Sequence, residues 1–411
     1  MSDFERIKLK YLANLYTGNS IPDDLKDKFT NKEIPYIPTK ELDVTTGTIN
    51  YENGLSVSPE DGFKIAPPFS TLMCIEGGSA GKKIGLTDRK VAFVNKLCCL
   101  KSEYIDDRLL YYCLQSKDFT DQFFLNMTGL IGGVSVATLK NLCITINRNS
   151  EYQVEIADKI ELETDKIDNL IANQEAQIEK LKQYKQSLIT EVVTKGLNPN
   201  VEMKDSELDW IVGSVPKHWI KTNPKALFKL RRDKALSTDR QLTASQNLGI
   251  IFQDEYMALT GQRVVTVEKD FDILKHVEAG DFVISMRSFQ GGLEYSEDTG
   301  CISSAYVMLI PDLKYVYPKF YKWLFKSKLY INAIQSTSNL IRDGQAMRYS
   351  NFSQIWLYKI PIEEQIELAD FLDEQCTKID KLIEIKQSKI AKLNEYKKSL
   401  IYEYLTGKKE A

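Results

Sequence analysis

Residues 151–194 read EYQVEIADKIELETDKIDNLIANQEAQIEKLKQYKQSLITEVVT, and residues 363–406 read EEQIELADFLDEQCTKIDKLIEIKQSKIAKLNEYKKSLIYEYLT. At a constant offset of 212, with no gap, 20 of these 44 positions are identical. The matches include Ala157-Asp158 with Ala369-Asp370, Lys166-Ile167-Asp168 with Lys378-Ile379-Asp380, and Tyr184-Lys185 with Tyr396-Lys397. Two unrelated Lys/Glu-rich helices share composition but not register, so the chain is a tandem duplication.

Both copies lack Gly and Pro in their interiors and carry apolar residues at heptad spacing, which predicts two long helices. The first seam runs through Ile167, Ile171, Ile178, Leu181 and Leu188, the second through Ile379, Ile383, Ile390, Leu393 and Leu400. These are the expected packing residues of an antiparallel coiled-coil spacer. Ser150 with Gln153 has capping-box spacing, Pro361 suits a first helical turn, and Gly196 and Gly407 mark the stops. At 1.5 Å per residue such a helix spans roughly 66 Å, more than a globular domain needs. Gln174 with Lys386 and Lys185 with Lys397 interrupt the seams at matching places, where polar residues specify register. Pairing of the helices is the expectation; the plainer alternative is that each covers its own neighbouring domain.

The remaining chain forms two blocks, 1–150 and 213–362, with helices at 151–195 and 363–408 and a linker at 196–212. Each block mixes strand-like runs with an aromatic helix, so the expected fold class is mixed α/β (α+β) globular domains in tandem. Val264 to Val267 and Asp281 to Met286 read as strands; Asp107 to Phe119 and Pro318 to Ile331 read as helices. The blocks resemble each other only in outline, each closing on a Gly turn, Thr128 to Gly133 and Ser338 to Gly344.

Among 411 residues, 54 Lys plus Arg face 57 Asp plus Glu and 43% are hydrophobic, which excludes collagenous, disordered and membrane-spanning classes. The Met-Ser-Asp-Phe-Glu start has no signal-peptide character, so the cytoplasm is expected. Seven cysteines without a CxxC pair and two distant histidines, His218 and His276, give no metal or His-based nucleophile pattern. The helical segments hold 14 basic and 20 acidic residues, so the acidity sits there. Net charge does not exclude DNA, because phosphate affinity follows local basic clusters. Candidates are Lys229, Arg231, Arg232 and Lys234; Lys82-Lys83 with Arg89-Lys90 around a glycine loop; and Lys319, Lys322 and Lys326. Glu76 to Lys83 fails as a P-loop, since Glu76 replaces its first glycine and Lys83 its magnesium-binding hydroxyl. Ala66-Pro67-Pro68-Phe69 lacks the side-chain oxygen with which amino-methyltransferases hold a flipped adenine. A non-catalytic chain is expected.

Three further stretches fix a resemblance. Gly196-Leu197-Asn198-Pro199 through Val215-Pro216-Lys217-His218-Trp219 follows the first helix, Gly280 to Gly292 with Ser303-Ser304-Ala305-Tyr306 lies in the second block, and Ile360-Pro361-Ile362-Glu363-Glu364-Gln365 opens the second helix. In this order, on this duplication, the chain resembles the specificity subunit of type I restriction-modification systems over essentially its whole length. The first helix start, Ile146 to Glu151, departs from the family pattern. The resemblance implies two target recognition domains, each reading half of a bipartite double-stranded DNA site, and helices that dock two adenine methyltransferase subunits. Restriction and translocase subunits join them, and S-adenosylmethionine, ATP and magnesium belong to those partners. The loops after strands are the candidates for DNA contact: Arg287 on a guanine edge, or paired within the protein to an acidic neighbour such as Glu294, Gln290 on an adenine edge, and Lys82, Lys83, Arg342 and Arg348 on phosphates, with Ser79, Arg89, Arg231, Arg232, Ser288 and Gln345 beside them. A self-sufficient methyltransferase with unseen motifs and a coiled-coil assembly protein without sequence specificity are the alternatives.

Overall fold

Both faces of the central sheets are covered at their middle, which is why the inner strands Thr71–Cys74, Phe282–Ile284 and Val307–Pro311 read as nearly unbroken buried runs. The architecture comes from a computed structural model and is described for residues 4–129, 132–246, 248–267, 271–285, 291–337 and 348–409. The chain divides into two units, Met1–Glu175 with Lys386–Ala411 and Ala176–Ile385, and each therefore holds half of each duplicated helix.

The first unit contains β1 (Phe4–Lys8), β2 (Ala13–Thr17), β3 (Ile34–Ile37), β4 (Ser56–Val57), β5 (Ile65–Ala66), β6 (Thr71–Cys74), β7 (Ile84–Leu86), β8 (Val91–Phe93) and β9 (Leu97–Ser102). Then come α1 (Asp107–Gln115), α2 (Lys117–Leu125), α3 (Val136–Leu139), β10 (Cys143–Asn147) and the start of α4 (Ser150–Lys195). Its central sheet has the antiparallel order β2-β9-β6-β7. Met73, Cys98 and Leu100 face a core with α1 and α2, while Leu72, Cys74, Leu97 and Cys99 face a second core with Ile37, Val91 and Phe93. Side chains alternate across the pleat, yet both sets are apolar because neither face meets water.

The second unit contains β11 (Met203–Asp205), β12 (Ser214–Pro216), β13 (Ile220–Thr222), β14 (Phe228–Leu230), β15 (Leu242–Ser245), β16 (Gly249–Phe252), α5 (Gln253–Thr260), β17 (Lys275–Val277) and β18 (Phe282–Ile284). It continues through β19 (Glu294–Tyr295), β20 (Gly300–Ile302), β21 (Val307–Pro311), α6 (Pro318–Lys326), α7 (Lys328–Ser336), α8 (Tyr349–Phe352), β22 (Leu357–Lys359) and the start of α9 (Ile362–Leu405). The sheet β14-β21-β18-β19 repeats the order of the first, strand for strand. Phe228 centres its core, edge-on to Phe282 at 5.8 Å, Tyr321 at 5.1 Å and Phe352 at 5.7 Å. The sequence outline therefore understates the kinship of the blocks: the duplication extends through both.

Several local expectations change. Each expected aromatic helix is a pair, α1 with α2 and α6 with α7, broken at Ser116 and Ser327. Both serines are extended, and each side chain caps the second helix, accepting from Phe119 N and Tyr330 N at 3.3 Å. Val264 to Val267 form no strand; the Gln241 side-chain amide takes the place of a neighbouring strand, accepting from Val267 N and donating to Val267 O at 2.8 Å. Intrinsic β-propensity without an edge to join does not make a strand. The strand expected from Asp281 is Phe282–Ile284, and Met286 and Ser338 to Gly344 lie outside the described residues.

The long helices start and stop by local chemistry. Asn149, not Ser150, caps α4, its Oδ1 accepting from Glu151 N at 2.9 Å and Tyr152 N at 3.2 Å. Gln153 does not form a capping box. It is buried, donating to Asn147 O at 2.7 Å and accepting from Asp106 N at 3.1 Å. Gln365, its repeat partner, is likewise buried, accepting from Tyr317 N at 2.7 Å and donating to Ile360 O at 2.8 Å. One glutamine thus ties the first turn of each long helix to the start of α1 or α6. Gly196 and Gly407 end the helices at φ of 73° and 68°, left-handed values that favour glycine.

The expected seam residues face inward. Ile167, Ile178, Ile379 and Leu400 are buried; Ile171, Leu181, Leu188, Ile383, Ile390 and Leu393 are half-buried. In the first unit Leu400, Ile401 and Tyr404 join Ile156, Ala157 and Ile160 in one cluster; in the second Val192 and Val193 join Leu368, Ala369 and Leu372. Lys397 Nζ binds the Asp168 carboxylate at 2.6 and 2.8 Å, and Lys185 Nζ binds Asp380 at 2.6 and 2.7 Å. These are the same pair in repeat numbering with the helices exchanged. Lys185 and Asp168 lie 17 residues apart, a separation both pairs satisfy only when the helices run antiparallel. Lys397→Glu is expected to cost about 1 kcal/mol in urea unfolding and Asp168→Lys to restore it. Absence of coupling in that double-mutant cycle would make the pair incidental.

Candidate nucleic-acid interface

The loop from Ile75 to Lys83 joins β6 to β7 and carries Ser79, Lys82 and Lys83. Its amides are turned inward: Ala80 N donates to Gly77 O at 2.9 Å, Gly81 N to Cys74 O at 2.8 Å, and Lys82 N to Ser79 O at 3.1 Å. It joins strand to strand with these amides bonded to protein carbonyls, unlike a phosphate cradle before a helix. A second loop seals it from the side. Gly77 N donates to Gly132 O at 2.9 Å, Val134 N to Ile75 O at 2.9 Å, and Thr128 and Gly133 exchange both backbone bonds.

Gly81 shows why this joint needs glycine. At φ 73°, a Cβ there would lie 2.7 Å from the Phe123 ring and 3.2 Å from Phe124 Cζ. The loop is seated against the end of α2, where Phe123 is buried and Phe124, Leu125 and Met127 emerge into solvent. Gly77, Gly78 and Gly129 have open space where a side chain would stand. The glycine loops thus carry few side chains of their own where Phe124 and Met127 pack against them. Sequence reasoning missed Phe124, Leu125 and Met127, because apolar residues at a helix end read as core.

The expected DNA-contacting residues separate into groups. Lys82 is exposed, its Nζ 3.5 Å from Gly78 O, whereas Lys83 Nζ is held by Thr39 O at 3.0 Å. Ser79 is half-buried, and its carbonyl accepts from Lys82 and Lys83 N–H. Arg89 lies at the far end of the β6–β7 hairpin, bonded to Asp88 at 2.8 Å and stacked 4.5 Å over Tyr51. Arg232 and Arg348 are exposed, and Arg348 N donates to Asn351 Oδ1 at the start of α8. Arg287, Ser288, Gln290, Arg342 and Gln345 lie outside the described residues.

Arg231 is a correction. It is buried, its Nε and Nη2 bonding the Asp281 carboxylate at 2.6 and 3.1 Å, with Nη1 on Asp233 at 2.9 Å and Nη2 also on Glu278 at 2.7 Å. Burial alone disfavours its charge, but its hydrogen bonds to the Asp281 and Asp233 carboxylates and the charge of Glu278 overcome this and raise its pKa. Basic side chains adjacent in sequence diverge here: just past β14, where Arg231 N still donates to Met308 O at 3.0 Å, Arg231 is buried while Arg232 faces solvent. On α6, Lys319 and Lys322 are exposed, Lys322 pairing with exposed Glu297 at 2.9 Å, and half-buried Lys326 pairs with buried Glu294. Burial raises the Glu294 pKa, and Lys326 opposes the shift. No helix among the described residues is long and apolar enough to cross a membrane.

No family model matches the sequence. A chain from a solved structure concerned with complex assembly and conformational transition of the type I R-M system superposes at TM-score 0.69 and 13% identity, over 98% of this chain and 97% of that one. The HsdS subunit from Thermoanaerobacter tengcongensis matches over 98% and 97% at TM-score 0.49 and 14% identity. The type I restriction-modification S subunit from M. genitalium matches over 98% and 96% at TM-score 0.40 and 14% identity. The first superposition establishes a common fold along essentially the whole chain.

Proposed function

We propose that this chain is the DNA specificity subunit of a type I restriction-modification complex, itself non-catalytic and cytoplasmic. Each unit reads one half of a bipartite double-stranded target, and the paired helices set the separation of the halves and dock two methyltransferase subunits. Those partners methylate adenine and carry S-adenosylmethionine; ATP and magnesium serve the restriction and translocase subunits. The observation that carries the reading is the duplication itself: one sheet order, one helix pair and one buried glutamine, each present twice, on antiparallel helices. Two related heads reading two half-sites follow the rule that target spacing mirrors protein repeat geometry.

On this reading Lys82, Arg232 and Arg348 are phosphate contacts, and Arg287 and Gln290 are the proposed guanine and adenine readers of the second unit. Lys83 and Arg89 act with part of their donors already engaged within the protein.

The test is reconstitution. The purified chain alone is expected neither to methylate DNA nor to bind S-adenosylmethionine, and mixing it with its modification subunits is expected to produce site-selective adenine methylation. Cofactor binding by the isolated chain would revive the self-sufficient methyltransferase, and sequence-independent footprints of the full complex would favour an assembly protein.

A further inference from the structure

The two units differ most tellingly at one matched place, the end of the second short helix. Helices α2 and α7 align at an offset of 211, Ser116 with Ser327 and buried Phe123 with buried Ile334. The next two positions part company: the first unit has Phe124 and Leu125, the second Gln335 and Ser336. Leu125 is 85% exposed, Phe124 42% and Met127 40%. The inward position stays apolar in both copies because the core requires it. The outward positions are free of that requirement, and the first unit still exposes three large apolar groups side by side.

Such a cluster costs solubility and marks a contact surface. It is fixed to both glycine loops, with Phe124 Cζ 3.2 Å from the point where a Gly81 Cβ would stand and Met127 Cε 3.2 Å from the corresponding point at Gly132. Beside it are the exposed Lys82 and three glycines, Gly77, Gly78 and Gly129, where no side chain stands and open space lies next to the loop. A cation, glycines that leave room for close approach, and apolar side chains together suit a DNA groove, where thymine alone among the bases offers a methyl group. A protein partner bound once per unit would need the same chemistry on both copies. The helices, with their 20 shared positions, offer that sameness and this face does not.

We propose that Phe124, Leu125 and Met127 are specificity-determining residues of the first unit, and that its half-site contains thymine recognised through the C5-methyl group. The inference rests on the DNA-reading function proposed above. The second unit, with Gln335 and Ser336 at the matched positions, reads its half-site by hydrogen bonding instead.

The experiment is equilibrium binding of the reconstituted complex to duplexes in which deoxyuridine replaces each thymine of the target in turn, which removes only the methyl. At one or more positions of the first unit's half-site, the wild-type complex is expected to bind the uridine duplex about four-fold more weakly, the worth of one buried methyl. The double variant Leu125→Ser with Met127→Ser, both exposed and polar like the sister unit, is expected to bind the two duplexes equally and to keep wild-type response to uridine in the other half-site. Wild-type indifference to uridine, or a variant that still discriminates, would overturn the proposal. So would a variant that loses its methyltransferase partners while keeping the thymine-to-uridine ratio, since the patch would then be a protein dock. A wild-type complex with no preferred sequence would instead sink the DNA-reading function itself.

Discussion

Arg231→Ala is expected to destabilise the second unit by about 3–5 kcal/mol without a specific loss of phosphate contacts. Its guanidinium satisfies Asp281, which is 2% exposed, and removing it leaves that carboxylate buried without its counter-charge. Breaking one partner of such a pair costs far more than the pair contributes net, because the remaining ion is still desolvated. Asp281 also accepts from Glu278 N at 3.0 Å, which fixes the turn into β18. Urea unfolding reads the stability loss, and the salt dependence of DNA binding separates the two roles. A structural arginine leaves the slope of log affinity against log salt unchanged, whereas a phosphate contact lowers it by about one. Unchanged stability with a reduced slope would return Arg231 to the DNA interface.

Deleting four residues from the first helix, 169–172, is expected to change the spacing of the methylated half-sites. The deletion removes about 6 Å of rise, nearly two base-pair steps, and turns the seam beyond it by some 40°. It also shifts Lys185 against Asp380 relative to Lys397 against Asp168, so the two ion pairs can no longer share one register. Complexes that still methylate are expected to do so at sites of altered spacing, read by sequencing of modified bases. Wild-type spacing in an active complex would show that helix length is not its determinant.

The helices were legible because their burial follows a fixed period and their repeat is undiluted: Ile167, Ile178, Ile379 and Leu400 are buried where the heptad puts them. The shared topology of the blocks was not, because a packed core constrains volume and polarity more than identity. Phe119 and Tyr330 occupy one site, Phe123 and Ile334 another, and only the coordinates align them. Gln153 and Gln365 matched in the repeat, but their burial depends on carbonyls and amides supplied by distant strands and helices. The candidate interface was legible in part. The glycine loop with Lys82 was visible as composition, while the fate of Arg231 depended, besides nearby Asp233, on Glu278 and Asp281, two carboxylates distant in sequence.

On the proposed function, the units read independent halves of one target. Replacing residues 1–150 with the corresponding block of another such protein and mapping methylated adenines genome-wide tests it most directly. A bipartite motif with one half changed and the other intact is the expected result. A single contiguous motif, or a swap that alters both halves, would contradict it.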